Sequence, residues 1–152
     1  MKLANNFTLS ELCKSETAAR KGIDNTPTEE VINNLSTLCA MVLQKVRDKL
    51  GVVMVTSGYR SPELNKAIGG SATSDHCKGL AADFEVVGFD NKELALWIKD
   101  NLHFKQLILE FYEDGQPNSG WVHCSFEEGN NKCEVLTAKK DGKKTVYISG
   151  IN

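Results

Sequence analysis

No stretch of this chain approaches the ~20 consecutive apolar residues that a membrane-spanning helix requires, so no membrane partner is expected. Nor is there the basic excess needed to neutralise phosphates. Lys and Arg total 18 against 20 Asp and Glu, a net charge of −2, and nucleic acid is not an expected partner. The opening residues, MKLANNFTLSELCKSE, carry no apolar segment and no small-residue cleavage site, so no secretory signal is read there. Synthesis in the cytoplasm is therefore expected, with release by other means if the target lies outside. Five cysteines (Cys13, Cys39, Cys77, Cys124 and Cys133) form an odd set without a C-x-x-C pair, which argues for reduced thiols rather than a disulfide frame. Repeats, linkers and low-complexity segments are also missing. The expectation is one domain over 1–152, present as a monomer. Histidine is scarce as well, with three in 152 residues, so the surroundings of each can be weighed.

What is present reads as helices followed mainly by strands. Ser10 is a candidate N-cap for a short first helix. TPTE at 26–29 has capping-box form, with Thr26 capping, Pro27 at the first helical position and Glu29 reaching back. Val31, Leu35, Leu38, Val42 and Val46 recur at three- and four-residue steps up to Gly51, which predicts a long amphipathic helix. VVMVT at 52–56 reads as a strand, and 65–79 as a long loop with one helical turn at most. LAADFEVV is a strand, and DNKELALWIKDNL a second amphipathic helix with Asp90 and Glu93 at capping-box spacing. FKQLILEFY and GWVHCSF are strands flanking a polar loop, and CEVLTAKKDGKKTVYIS is a hairpin turning at Asp141-Gly142. Its AKKDGKK tip reads as a solvated turn. The expected fold class is α+β, an antiparallel sheet packed against N-terminal helices.

Two strands carry polar groups on one face only. In LAADFEVV, Leu80, Ala82, Phe84 and Val86 form an apolar row, while Asp83 and Glu85 point the other way. In WVHCSF, Val122, Cys124 and Phe126 are the apolar row, while Trp121, His123 and Ser125 share the opposite face. His76 precedes Asp83 by seven residues across a turn that Gly79 allows to be sharp. His103 sits at the expected end of a helix, where a solvated imidazole needs no special role. Two imidazoles and one carboxylate suit zinc with a fourth position open, as in catalytic rather than structural sites. Spacing alone leaves a hydrogen-bonded Asp–His pair equally open.

A resemblance bears on that choice. SDHCKGLAAD matches the S-x-H-x-x-G-x-A-x-D signature of the zinc D-alanyl-D-alanine carboxypeptidase family, which includes many phage endolysins. WVHCSF resembles that family's W-x-H segment, and VTSGYRSPELN its S-G-Y-R-S segment. The resemblance covers roughly residues 52–126. It implies that His76, Asp83 and His123 bind Zn2+, that Arg60 faces the substrate, and that the substrate is a peptidoglycan peptide. A phage or prophage lysin is one setting it suggests. Cys77 and Cys124, each next to a proposed ligand, are read as packing residues.

The proton acceptor is the departure. Family members often keep an acidic residue three positions before the last histidine, and Gly120 stands there. A similar zinc fold, the sonic hedgehog signalling domain, places a glutamate six residues after a phenylalanine on the preceding strand. Phe104 and Glu110 have that spacing. Alternation puts Gln106, Ile108 and Glu110 on one face, so Glu110 is preferred over Glu113, which opens a loop. Arg60 is assigned to substrate charge or a developing oxyanion, Ser74 to substrate contact or loop bracing, and Tyr59 to packing. Competing expectations are a zinc-stabilised binding module without turnover and a metal-free interaction domain.

Overall fold

The computed structural model describes residues 1–151. Two short strands open the chain, β1 (Lys2–Ala4) and β2 (Phe7–Thr8), paired with each other. Helices α1 (Leu9–Cys13) and α2 (Glu16–Lys21) follow. Thr8, not Ser10, caps α1, its hydroxyl accepting the Glu11 N–H at 3.2 Å. Ser15 caps α2, and Gly22 ends it in the left-handed region.

The long amphipathic helix is present as three segments running end to end: α3 (Glu29–Leu38), a π-helical stretch (Cys39–Leu43) and α4 (Gln44–Leu50). All five periodic residues, Val31, Leu35, Leu38, Val42 and Val46, are buried. The start is two residues later than TPTE suggests. Thr28 caps, accepting the Val31 N–H, while the Thr26 N–H is taken by Asp24 in a local turn that leaves Pro27 outside the helix.

Strand β3 (Val53–Ser57) leads to a helix absent from the expected elements, α5 (Pro62–Ala67), capped by Ser61 with proline in its first turn. A 3-10 turn (Asp75–Lys78) precedes β4 (Ala81–Val86). Helix α6 (Asn91–Asn101) is capped by Asp90, whose Oδ1 accepts the Lys92 and Glu93 N–H groups. Strands β5 (Gln106–Glu110), β6 (Trp121–Ser125), β7 (Glu134–Asp141) and β8 (Lys144–Ser149) complete the chain. The last hairpin turns at Gly142-Lys143, one residue beyond the expected pair, because Asp141 still pairs with Lys144.

The main sheet has the order β3-β4-β6-β5-β7-β8. It is mixed rather than purely antiparallel: β5 and β7 run parallel, with Gln106 opposite Glu134 and Glu110 opposite Ala138. Strand β5 lies between the two arms that the 126–133 connection joins, β6 and β7. One face packs on the helices through Phe84, Val86, Leu107, Leu109, Val122 and Cys124, together with Leu94 and Ile98 of α6. That face is the apolar row of each strand, so the alternating polar residues emerge together on the other. No helix among the described residues is long and apolar enough to cross a membrane.

Candidate metal centre and active site

The sheet brings Asp83 and His123 into register as direct neighbours on β4 and β6, and Ile108 of β5 follows in the same row. His123 Nδ1 donates to Asp83 Oδ1 at 2.9 Å. His76 arrives from the 3-10 turn, with Nε2 3.3 Å from the same oxygen. The two imidazoles meet edge to face, centroids 5.2 Å apart. One potential ligand atom from each of the three residues lies within 4.8 Å of the others.

Local structure explains why His76 reaches this point. Ser74 Oγ accepts the His76 backbone N–H, which winds the turn. Gly79 ends the turn at φ +73°, where a Cβ would crowd the Val31 carbonyl oxygen at 2.8 Å. The Gly58 carbonyl accepts from His76 Nδ1 at 2.8 Å, which fixes the ring with Nε2 toward Asp83. The Arg60 N–H returns to the His76 carbonyl. Such an outer hydrogen bond orients a metal-binding imidazole and raises its basicity.

Burial alone would push the Asp83 carboxyl up. The hydrogen bonds from His123 and His76 and their charges outweigh it and hold Asp83 well below the usual carboxylate range. Burial likewise opposes a charged His123, but the Asp83 hydrogen bond and the charges of Asp83 and Glu110 raise its pKa. Two imidazole nitrogens and a carboxylate converging on one point are a donor set that fits zinc, with a fourth position left for another ligand.

A cleft of about 480 Å³ surrounds these groups, and Arg60, Ser74 and Glu110 all line it. Glu110 Oε2 accepts the Trp121 indole N–H at 2.6 Å. Burial raises the Glu110 pKa and the Asp83 charge adds to this, while His123, the Trp121 bond and Arg60 pull the other way; the net direction is up. Gly120 has φ +63°, and a Cβ there would collide with the Glu110 carbonyl oxygen. The acidic residue that resemblance places at this position therefore has no room on this backbone. Glu113 is exposed in the loop and outside the cleft.

Arg60 makes three contacts: Nε to Ser57 Oγ at 3.0 Å, Nη1 to Asn65 Oδ1 and Nη2 to Asp83 Oδ2, both at 3.4 Å. Tyr59 is buried packing. His103 is exposed and outside the cleft. Cys124 lies in the core, and burial raises its thiol pKa. Cys77 is half-buried beside Pro62 and Asn65 rather than in the cleft.

A further cluster at the cleft wall has no counterpart in the sequence reading. Lys105 Nζ bridges Asp75 Oδ1 (3.1 Å) and Glu127 Oε1 (2.9 Å). Asp75, next to His76, is the one local hint, but Lys105 lies 30 positions away in the chain. Asn65, buried and bonded to the Ser71 carbonyl, carries no local signal either.

The family model described as Peptidase M15 matches residues 5–125, most of the 152. The chain belongs to the peptidase M15 family. That agrees with the resemblance carried by SDHCKGLAAD, WVHCSF and VTSGYRS, and the mixed α+β architecture is consistent with it. No curated protein sequence matches the chain significantly. Membership in peptidase M15 implies a hydrolase acting on a peptide chain, with a His-Asp-His group able to hold a metal. The M15 match ends at Ser125, so β7 and β8 lie outside it.

Proposed function

We propose that the protein is a zinc peptidase that hydrolyses peptide bonds in peptidoglycan stem or cross-bridge peptides. The observation that carries this is convergence. His76, Asp83 and His123 come from a turn and two strands to within 4.8 Å, and Glu110 offers a carboxylate to the same cleft. His76, Asp83 and His123 would hold the ion. When bound, zinc supplies Lewis acidity toward a carbonyl and eases deprotonation of a water.

Glu110 takes that water's proton and returns it to the leaving amine. Trp121 occupies Oε2, so Oε1 is the oxygen free for transfer. A carboxyl whose pKa burial raises is better matched to both steps than an ordinary exposed one. Arg60 spends three of its five N–H donors on Ser57, Asn65 and Asp83, leaving two for a substrate carboxylate or a developing oxyanion. Ser74 braces the His76 turn. A zinc-stabilised module without turnover would have no use for a half-buried Glu110 held beside the ligand set.

The test is mass spectrometry of purified peptidoglycan fragments incubated with the protein. New termini should form, vanish with a chelator and return when zinc is restored. Unaltered fragments with fully zinc-loaded protein would overturn the proposal.

A further inference from the structure

We infer that Tyr147, on the C-terminal hairpin, is a substrate-contact residue that sets which peptides the cleft accepts; this rests on the peptidase function proposed above. The hairpin lies beyond residue 125, outside the family match, yet it supplies one wall of the cleft. Its placement follows from register. Trp121 pairs with Glu110, Glu110 with Ala138, and Ala138 with Tyr147, a single row across β6, β5, β7 and β8. Paired residues on neighbouring strands share a face, so Tyr147 rises from the same side as Glu110. Between them Ala138 contributes only a methyl group, so no large side chain divides the floor.

Tyr147 lines the cleft while remaining 56% exposed. Its hydroxyl has no hydrogen-bond partner among the described residues, and the core does not use its ring. Large aromatic surface left open beside a catalytic carboxylate is surface for a ligand. The hairpin is also secured to the site. Lys140 Nζ lies 5.2 Å from the Phe111 ring centroid, and Phe111 packs on Trp121, which holds Glu110.

Strand spacing supplies a ruler. Strands lie ~4.8 Å apart, so β6 and β8 are separated by three spacings, about 14 Å. His123 stands two residues along from the Trp121–Tyr147 row, which adds ~7 Å along the strand and makes the diagonal about 16 Å. An extended peptide advances ~3.3 Å per residue, so about five residues bridge that gap. A chain lying across the sheet with its scissile bond at the metal ligands therefore reaches the Tyr147 ring at about its fifth residue. The opposite end of the cleft holds the Arg60 guanidinium. A terminal carboxylate is favoured there, with the longer arm of the peptide running over the tyrosine.

The experiment measures binding of purified soluble peptidoglycan stem peptides to zinc-loaded Glu110→Gln protein by calorimetry, so that the peptide is not consumed. Adding Tyr147→Ala should weaken binding by ~10-fold, as expected for loss of an aromatic contact, with zinc content and Tm unchanged. Tyr147→Phe, which keeps the ring, should stay within about twofold. A peptide trimmed on the hairpin side, so that it ends short of the ring, should bind equally with and without Tyr147→Ala. Equal binding of the longer peptide with and without Tyr147→Ala overturns the inference. Tyr147-dependent binding without cleavage by the wild-type protein would sink the hydrolase proposal and leave the peptide contact standing. No binding at all would sink both.

Discussion

Lys105→Met asks how firmly the His76 turn is anchored. Lys105 stands just before β5 and neutralises Asp75 on the turn and Glu127 after β6, at 3.1 and 2.9 Å. All three side chains are partly exposed, so solvent screens the pairs and each is worth ~0.5–1 kcal/mol. Losing both should cost ~1–2 kcal/mol. In a domain of this size ~1 kcal/mol moves Tm by ~2–4 °C, so a fall of about 2–8 °C is expected. Burial tends to lower the Lys105 pKa, but its bonds to Glu127 and Asp75 outweigh this and raise it. That contribution is complete at neutral pH and is lost only as pH climbs through the raised value. The Lys105 hydrogen bond lowers Glu127, whose contribution fades only as pH falls through the depressed value. A measurement at pH ~7 therefore lies below the raised Lys105 value and above the depressed Glu127 value. Because Asp75 adjoins His76, zinc affinity should also drop by ~10-fold, the lower end of what outer-shell changes cause. Thermal denaturation and competition with a chromophoric chelator read both quantities, and Lys105→Arg should restore most of each. Wild-type Tm and wild-type zinc affinity for Lys105→Met at low salt would refute the anchoring role.

Three further outcomes are expected. Glu110→Gln should slow peptide cleavage by ~10²–10⁴-fold while zinc content stays near one per chain, and Glu113→Gln should cost little; the reverse pattern would move the proton acceptor to the loop. His123→Ala should lose most of its zinc in metal analysis and His103→Ala none, so full retention by His123→Ala would remove that residue from the site. The raised His123 pKa means that its pairing with Asp83 stabilises the metal-free protein fully below the unfolded value and less as pH rises through the folded one. Zinc needs the imidazole unprotonated, so the zinc-induced rise in Tm should be larger at pH ~8 than at pH ~6. Equal rises at the two pH values would argue against an imidazole that must shed a proton to bind.

The parts of this fold governed by short periods are readable from the chain. Alternation in LAADFEVV and WVHCSF sends Phe84, Val86, Val122 and Cys124 to the core and Asp83, Trp121 and His123 to the cleft, while Glu85 and the fully buried Ser125 on the polar rows stay out of the cleft. The three- and four-residue steps from Val31 to Val46 mark one buried helical stripe. The same alternation prefers Glu110 to Glu113, and the Glu110 side chain does line the cleft. Local competition blurs the boundaries. Thr26 and Thr28 are both able caps, and only the Asp24 turn decides between them. Helix α5 is announced by Ser61-Pro62-Glu63, a cap followed by proline, but the glycine and serine around it read equally well as a loop. Strand neighbours are not legible, since nothing in residues 106–110 says that 134–138 will pair with them in parallel. Lys105, Asn65 and Tyr147 acquire their surroundings from partners that no local pattern encodes.

The parallel pairing of β5 and β7 also sets an order of events during synthesis. A hairpin could complete β5 at once, but a parallel neighbour must wait for the chain to leave β6 and come round through residues 126–133. Until residues 134–138 emerge, the strand bearing Glu110 is an open sheet edge whose unpaired N–H and C=O groups can recruit any extended segment nearby. The nascent chain thus exposes the strand that carries Glu110 until β7 is made; β7 closes that edge, and β8, paired to it, adds Tyr147 to the cleft wall.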